Sequence, residues 1–364
     1  MRAIVSGGGT GGHIYPALAI ADKIVEKYPG SEILYVGTPN SLEERIVAKH
    51  GYNFKSIEVK WFQRRISFEN VKRIFLASKA IRDAEKIIRE FEPDVVIGTG
   101  GYVSGPVVYA GSRSKALTII HEQNAYPGLT NKILSKKVDK IFLGFETARN
   151  FFKTKIDIRT VGNPVRYNIL HASAKEEARR NVNLPKNKPF ILVTGGSGGY
   201  DAINNTFVQL IPELVEREIG FIFSTGKRHY EKIMQDYGHY VKADKYMIVD
   251  YIDDMPNYIA SSDLCIVSAG ATTIAEVNAV GRAAIIIPKA YSAENHQEVN
   301  AKNIQDNGAG YYIKENDLKP EAMLGLMNEI LQNDALREQM ERKSKDLYNI
   351  DPCETIVTEI SKML

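Results

Sequence analysis

Cysteine is nearly absent from this sequence: Cys265 and Cys353 are the two in 364 residues. Neither sits at metal-ligand spacing, so a disulfide framework and a zinc knuckle are excluded and a reduced compartment is expected. No apolar run approaches the ~20 residues of a membrane-spanning helix. Met1-Arg2-Ala3 leads directly into an apolar strand rather than a secretion signal. The expected setting is therefore the cytosol or a membrane surface. Charge of one sign is not in excess either. Lys plus Arg number 47 and Asp plus Glu 44, a net +3, so no global basicity calls for nucleic acid and any basic surface is local. No Asp-x-Asp triplet occurs, so the usual carboxylate pair clamping a nucleotide diphosphate through a divalent metal is not indicated. No metal and no cofactor is expected. Low-complexity tracts and short-period repeats are also missing.

What is present is alternation. Short apolar runs such as Ile33 to Val36, Ile57 to Val59, Val95 to Ile97, Thr118 to Ile120 and Lys140 to Leu143 are separated by longer amphipathic segments. This pattern predicts parallel βαβ units, an α/β class. It restarts after a charged stretch from Ala174 to Lys188, with Phe190 to Val193, a glycine turn Gly195 to Gly199, and a helix from Ala202 to Glu218. Length and 44% hydrophobic content allow two cores. The reading is two doubly wound Rossmann-like domains facing each other across a cleft, 1–163 and 164–344, with a C-terminal helix from about 345 to 364 packing back on the first.

Ligands of open parallel sheets bind at the carboxyl ends of the strands. There the first half carries Gly7-Gly8-Gly9-Thr10-Gly11-Gly12-His13, a strand-turn-helix whose amides and dipole favour a phosphate or a developing anion. His13 adds a ring that can take a proton from a hydroxyl near neutral pH; a helix-start histidine bonded to backbone is the alternative. The spacing also fits a dinucleotide fingerprint, but the second strand runs into Gly37-Thr38, not the expected acid. Further turns follow at Gly98 to Pro106 and at His121-Glu122-Gln123-Asn124. Of these last four, Asn124 is the better ligand contact, and Glu122 and Gln123 are better braces. In the second half, Ser268 to Glu276 offers a glycine, Ala271, Thr272 and Thr273 for phosphate, and a carboxylate, Glu276, that could hold a ribose; a well-capped helix with Glu276 as an ordinary first-turn acid is the alternative. The loop at Ile252 could read a base edge with its backbone, and Pro288 to Asn300 is rich in sugar-binding side chains. Trp61, Phe62, Arg64, Arg65, Lys72, Arg73 and Phe75 mix aromatics with cations, suiting either an anionic membrane surface or an ordinary amphipathic helix.

Taken together, Gly8 to His13, Gly100 to Pro106, His121 to Asn124, Leu129 to Lys132, Val161 to Arg166, Gly195 to Ser197, Ile252 to Met255 and Gly270 to Glu276 resemble, in order and register, the MurG family of N-acetylglucosaminyltransferases that complete lipid II. The resemblance implies a GT-B fold. It implies inverting transfer of GlcNAc from UDP-GlcNAc to the C4 hydroxyl of MurNAc in lipid I, at the cytoplasmic face of the bacterial membrane, with no nucleic-acid partner. It further implies donor contacts at Thr10, Gly11, Gly12, Asn124, Arg166, Ser197, Ile252, Ala271, Thr272, Thr273, Glu276 and Gln297. Of these, Glu276 would hold the ribose, Ser197 and Arg166 would lie near the diphosphate, and Gln297 near the GlcNAc hydroxyls. His13 would be the base on the acceptor side, with Gly101, Tyr102 and Asn131. Two departures stand out: Ser268-Ala269-Gly270 where the family often has Arg-Ser-Gly, and His296-Gln297 where Gln-Gln is frequent. The competing readings are a UDP-GlcNAc epimerase of similar build, an NAD oxidoreductase, and a non-catalytic nucleotide-sugar sensor.

Overall fold

The computed structural model describes residues 1–59, 68–291 and 296–364, without the side chains of 68–77. The chain divides into two compact units, Met1–Tyr167 with Ile350–Leu364, and Asn168–Asn349. The junctions fall a few residues beyond those read from the sequence, which puts Arg166 in the first unit.

The first unit is built on seven parallel strands: β1 (Arg2–Ser6), β2 (Glu32–Gly37), β3 (Asn53–Ser56), β4 (Val95–Gly98), β5 (Leu117–Glu122), β6 (Lys140–Leu143) and β7 (Ile158–Thr160). Their order is β3-β2-β1-β4-β5-β6-β7. The central strands are apolar on both faces because helices cover both: Ala3, Ile4 and Val5 are fully buried, as are Val95 and Val96. β3 corrects the sequence reading, which placed a strand at Ile57 to Val59. The paired residues are Asn53 to Ser56, and a mostly exposed edge strand has no need of an apolar pattern. β7 and β13, also at sheet edges, are three residues each and too short to show an apolar pattern.

The second unit repeats the plan with β8 (Phe190–Thr194), β9 (Gly220–Ser224), β10 (Tyr246–Val249), β11 (Leu264–Ser268), β12 (Ala284–Ile287) and β13 (Gly310–Tyr312), in the order β10-β9-β8-β11-β12-β13. All pairs are parallel. Its helix Asp201–Glu216 lays Ile203, Phe207, Leu210, Ile211 and Leu214 on the sheet, and Phe207 packs edge-on against Phe221 at 5.4 Å. In each sheet the strand order reverses once, between β1 and β4 and between β8 and β11, and the glycine turns leave the sheets at these two points.

The chain returns to the first unit at its end. Helix Pro352–Met363 starts with Asp351, whose carboxylate accepts from the Cys353 amide at 2.8 Å. It buries Cys353, Ile356, Val357 and Ile360 in the same cluster as Ile14, Leu18 and Ile24 of helix Gly11–Lys27. Glu354 pairs with Lys27, and Glu359 with Arg159 at 2.8 Å and Lys140 at 3.5 Å. These pairs set the helix's position; the stabilisation comes mainly from the apolar face. Ile356→Ala is expected to lower the stability of the first unit by about 2–5 kcal/mol, read from urea unfolding. An unchanged midpoint would mean that this face is not part of the core.

Candidate active site

The turn after β1 is shaped by close approach. A Cβ at Gly7 would lie 2.1 Å from Thr99 Oγ1, and one at Gly101 would lie 2.2 Å from Gly8 O. Glycine is therefore required where the turns after β1 and β4 press together, and the Gly8 amide donates to Gly100 O at 3.4 Å. Thr99 fixes the start of the following helix, its hydroxyl donating to His13 O at 2.7 Å. Tyr35, fully buried on β2, donates its hydroxyl to Gly7 O. Burial, with the nearby Glu43 carboxylate, pushes that phenol well above its ordinary range, so it remains a neutral donor.

His13 is partly exposed, and its Nδ1 lies 3.1 Å from Gly8 O, with Thr10 Oγ1 3.4 Å from the same nitrogen. A carbonyl oxygen accepts only, so Nδ1 carries the proton in the neutral ring and Nε2 carries the lone pair. The Cδ2–Nε2 edge lies along Gly100, where a Cβ would come within 2.8 Å of Cδ2. Around this corner the structure gathers Tyr102, whose ring lies against Gly9, and Tyr15, whose ring lies against Gly11 and carries the Arg166 guanidinium at 4.7 Å. Thr10 is exposed at the tip, and Gly11, Gly12 and Gly101 are partly exposed. This places Arg166 beside the first glycine turn, within the first unit.

The turn after β5 forms a second cluster. Glu122 accepts four hydrogen bonds, from the Asn124 amide (3.0 Å) and side chain (3.1 Å), the Gly128 amide (3.0 Å) and Asn131 Nδ2 (2.8 Å). Asn131 is 2% exposed and also donates to His121 O. Asn131 and Glu122 therefore brace the turn, while Asn124 remains partly exposed. His121 Nε2 donates to Gly162 O at 2.9 Å, and its Nδ1 accepts from Gln123 Nε2 at 3.1 Å. Burial lowers this imidazole to about 4, against a smaller opposing effect of the Gly162 carbonyl.

In the second unit Ser197 and Gly198 are exposed at the tip of the turn after β8, which Gly196 and Gly199 make with positive φ. The turn after β11 runs through Gly270 into helix Ala271–Val280, with Ala271, Thr272 and Glu276 buried and Thr273 partly exposed. Asn300, fully buried, donates to Ala269 O at 3.1 Å and anchors that turn. Ile252 is 2% exposed, so only its backbone is available to a ligand. Gln297 Oε1 accepts from the Lys289 amide at 3.0 Å. Tyr200 joins the same loop by donating to Glu315 at 2.6 Å, while Glu315 also accepts from the Ala290 amide. Tyr200 and Glu315 lie outside the stretches read from the sequence, and Asn300, read there as part of a sugar-binding stretch, is instead a buried anchor; all three contact the loops through tertiary packing that spacing does not reveal. Trp61, Phe62, Arg64 and Arg65 lie outside the described residues, as do the side chains of Lys72, Arg73 and Phe75.

Two doubly wound parallel sheets, each with glycine turns at its reversal point, are the GT-B arrangement of nucleotide-sugar enzymes. Residues 3–143 match the glycosyltransferase family 28 N-terminal domain, and residues 190–352 match its C-terminal domain. The chain belongs to glycosyltransferase family 28 and is a glycosyltransferase. It is 45% identical over its whole length to a protein of Clostridioides difficile, covering 89% of it. It is 44% identical to one of Alkaliphilus metalliredigens, with both chains fully covered. Both are named UDP-N-acetylglucosamine--N-acetylmuramyl-(pentapeptide) pyrophosphoryl-undecaprenol N-acetylglucosamine transferase. Among solved structures, MurG of Acinetobacter baumannii superposes with a TM-score of 0.74 at 28% identity over 99% of both chains. A UDP-N-acetylglucosamine 2-epimerase gives 0.68 at 13% identity over 98% of this chain and 94% of that one, a likeness of fold alone. Among the described residues no helix is long and apolar enough to cross a membrane.

The state of His121 gives a pH dependence. Its folded value lies below the ordinary 6.5, so its contribution is complete above pH 6.5 and lost as pH falls toward 4. By pH 5 the loss is about 2 kcal/mol. Between pH 7 and 5, the wild type should lose about that much more unfolding free energy than His121→Asn; equal losses would contradict a buried neutral imidazole.

Proposed function

We propose that this glycosyltransferase moves GlcNAc from UDP-GlcNAc to the C4 hydroxyl of MurNAc in lipid I, with inversion, and yields lipid II. The observation that carries the proposal is end-to-end identity of 44% with a relative bearing that enzyme's name. The second unit holds the donor. Ser197, Ala271, Thr272 and Thr273 lie on turns and a helix start that favour the diphosphate, Glu276 takes the ribose hydroxyls, the Ile252 backbone reads uracil, and Gln297 contacts the sugar. The first unit carries the acceptor-side residues Gly101, Tyr102 and Asn131, and Thr10, Gly11, Gly12, Asn124 and Arg166 are the further donor contacts that the resemblance implies.

Inverting transfer is a single displacement at the anomeric carbon, in which the attacking hydroxyl loses its proton as UDP departs. His13 serves as base through Nε2, because Nδ1 is committed to Gly8 O. Such a base contributes ~10²–10⁴ in rate. The departing diphosphate's charge falls to the amides at the start of helix Ala271–Val280 and to Arg166. The acceptor's lipid requires an anionic membrane surface nearby, and the aromatic and basic residues from Trp61 to Phe75 supply the contact, at the cytoplasmic face.

Radiolabelled UDP-GlcNAc incubated with a lipid I analogue should yield labelled lipid II. His13→Ala should cut turnover by ~10²-fold or more with donor binding unchanged, whereas Glu276→Ala should weaken donor binding because it removes contacts present throughout the reaction. Consumption of UDP-GlcNAc without acceptor would instead identify an epimerase, and an unchanged His13→Ala turnover would remove His13 as base.

A further inference from the structure

Glu43 lies outside every motif read from the sequence. It stands in the first turn of helix Leu42–His50 and is 1% exposed. No cation lies within ion-pair distance of it among the described residues. Its Oε1 accepts from the Thr38 hydroxyl at 2.6 Å and the Thr38 amide at 3.2 Å, and its Oε2 accepts from the Gly9 amide at 3.4 Å. A Cβ at Gly8 would sit 2.8 Å from Glu43 Oε1, so the carboxylate is pressed against the underside of the glycine turn. A buried carboxylate without a cation is costly, and helix capping does not explain it. Ser41 caps that helix by accepting from the Glu44 amide at 3.2 Å, and Glu44 bonds back to the Asn40 amide.

The geometry supplies another role. The amide that Glu43 accepts and the carbonyl that His13 donates to belong to one peptide group, Gly8–Gly9. We infer that Glu43 is the positioning residue of the proposed base, acting on His13 through this peptide: carboxylate, Gly9 N–H, Gly8 C=O, imidazole Nδ1–H. Bonding at the amide polarises the carbonyl and strengthens its acceptance of the imidazole proton. The chain thereby fixes the ring's tautomer and rotation, and favours the imidazolium formed when Nε2 takes the acceptor's proton. Gly9, at φ +84°, permits the peptide orientation that this requires. The Gly9 amide thus serves the protein's own carboxylate. Among the described residues, the titratable or charged groups that face this corner include Tyr35 beneath Gly7, Tyr102 against Gly9, and Tyr15 with Arg166 above Gly11.

The inference rests on His13 being the base, and the test separates the two. In the lipid I transfer assay, Glu43→Gln should lower kcat about 10- to 100-fold. The acid limb of its kcat/KM profile should move to lower pH by roughly half a unit or more, because the imidazolium loses its distant carboxylate. UDP-GlcNAc binding, for which Glu43 is assigned no contact, should stay near the wild-type value. Added to His13→Ala, the same change should slow turnover less than about twofold. Glu43→Asp, which withdraws the carboxylate by one methylene, should shift the limb in the same direction and serves where the Gln variant does not fold. A slow His13→Ala combined with an unmoved acid limb in both Glu43 variants, or with full additivity in the double variant, overturns the role of Glu43 and leaves the base standing. A His13→Ala variant as fast as wild type overturns the base itself.

Discussion

The contact that organises the first unit's chemistry is the hydrogen bond between His13 Nδ1 and Gly8 O, 3.1 Å long. Much of the local fold serves it. The turns after β1 and β4 are so close that Gly7 and Gly101 admit no side chain, and Tyr35 and Thr99 secure the backbone on either side of the ring. A neutral imidazole bonded in this way carries its proton on Nδ1 and a lone pair on Nε2. A loose glycine loop would leave that choice to solvent.

The two units use the same topological device to different ends. Both sheets reverse strand order at one point, and both place glycine turns there. In the first, the backbone amides of Gly8 and Gly9 are taken up within the protein, and the distinctive group is a titratable ring. In the second, the turn after β8 ends in an exposed Ser197, and the turn after β11 opens a helix with small residues. The first arrangement suits proton transfer, and the second suits an anion. This division matches the proposed assignment of acceptor and donor.

Much of this was legible in the sequence because parallel sheets buried on both faces leave continuous apolar runs. Ala3 to Val5, Val95 to Ile97 and Leu264 to Val267 are such runs, and each is a central strand. Of the four edge strands only Tyr246–Val249 carries such a run; the other three do not, so Asn53–Ser56 falls outside the expected strand and Ile158–Thr160 and Gly310–Tyr312 have no apolar signature. The glycine turns were legible because glycine marks close backbone approach wherever it clusters. The bonds of Glu43 to Gly9, of Asn300 to Ala269 and of Glu315 to Tyr200 were not legible, since each reaches a loop distant in sequence. The one local hint at Glu43 is that Ser41 already caps the helix and its neighbour Glu44 bonds back to the Asn40 amide, leaving a second acid in that turn without a helical task.

The central claim is that His13 is held with its proton on Nδ1 and its lone pair on Nε2. Nitrogen NMR of the protein labelled with ¹⁵N-histidine, with His13→Gln to assign the signal, tests it most directly. At a pH where the ring is neutral, the account predicts a pyrrole-type shift for Nδ1 and a pyridine-type shift for Nε2. The reverse pattern, or the averaged shifts of a freely exchanging ring, would contradict it.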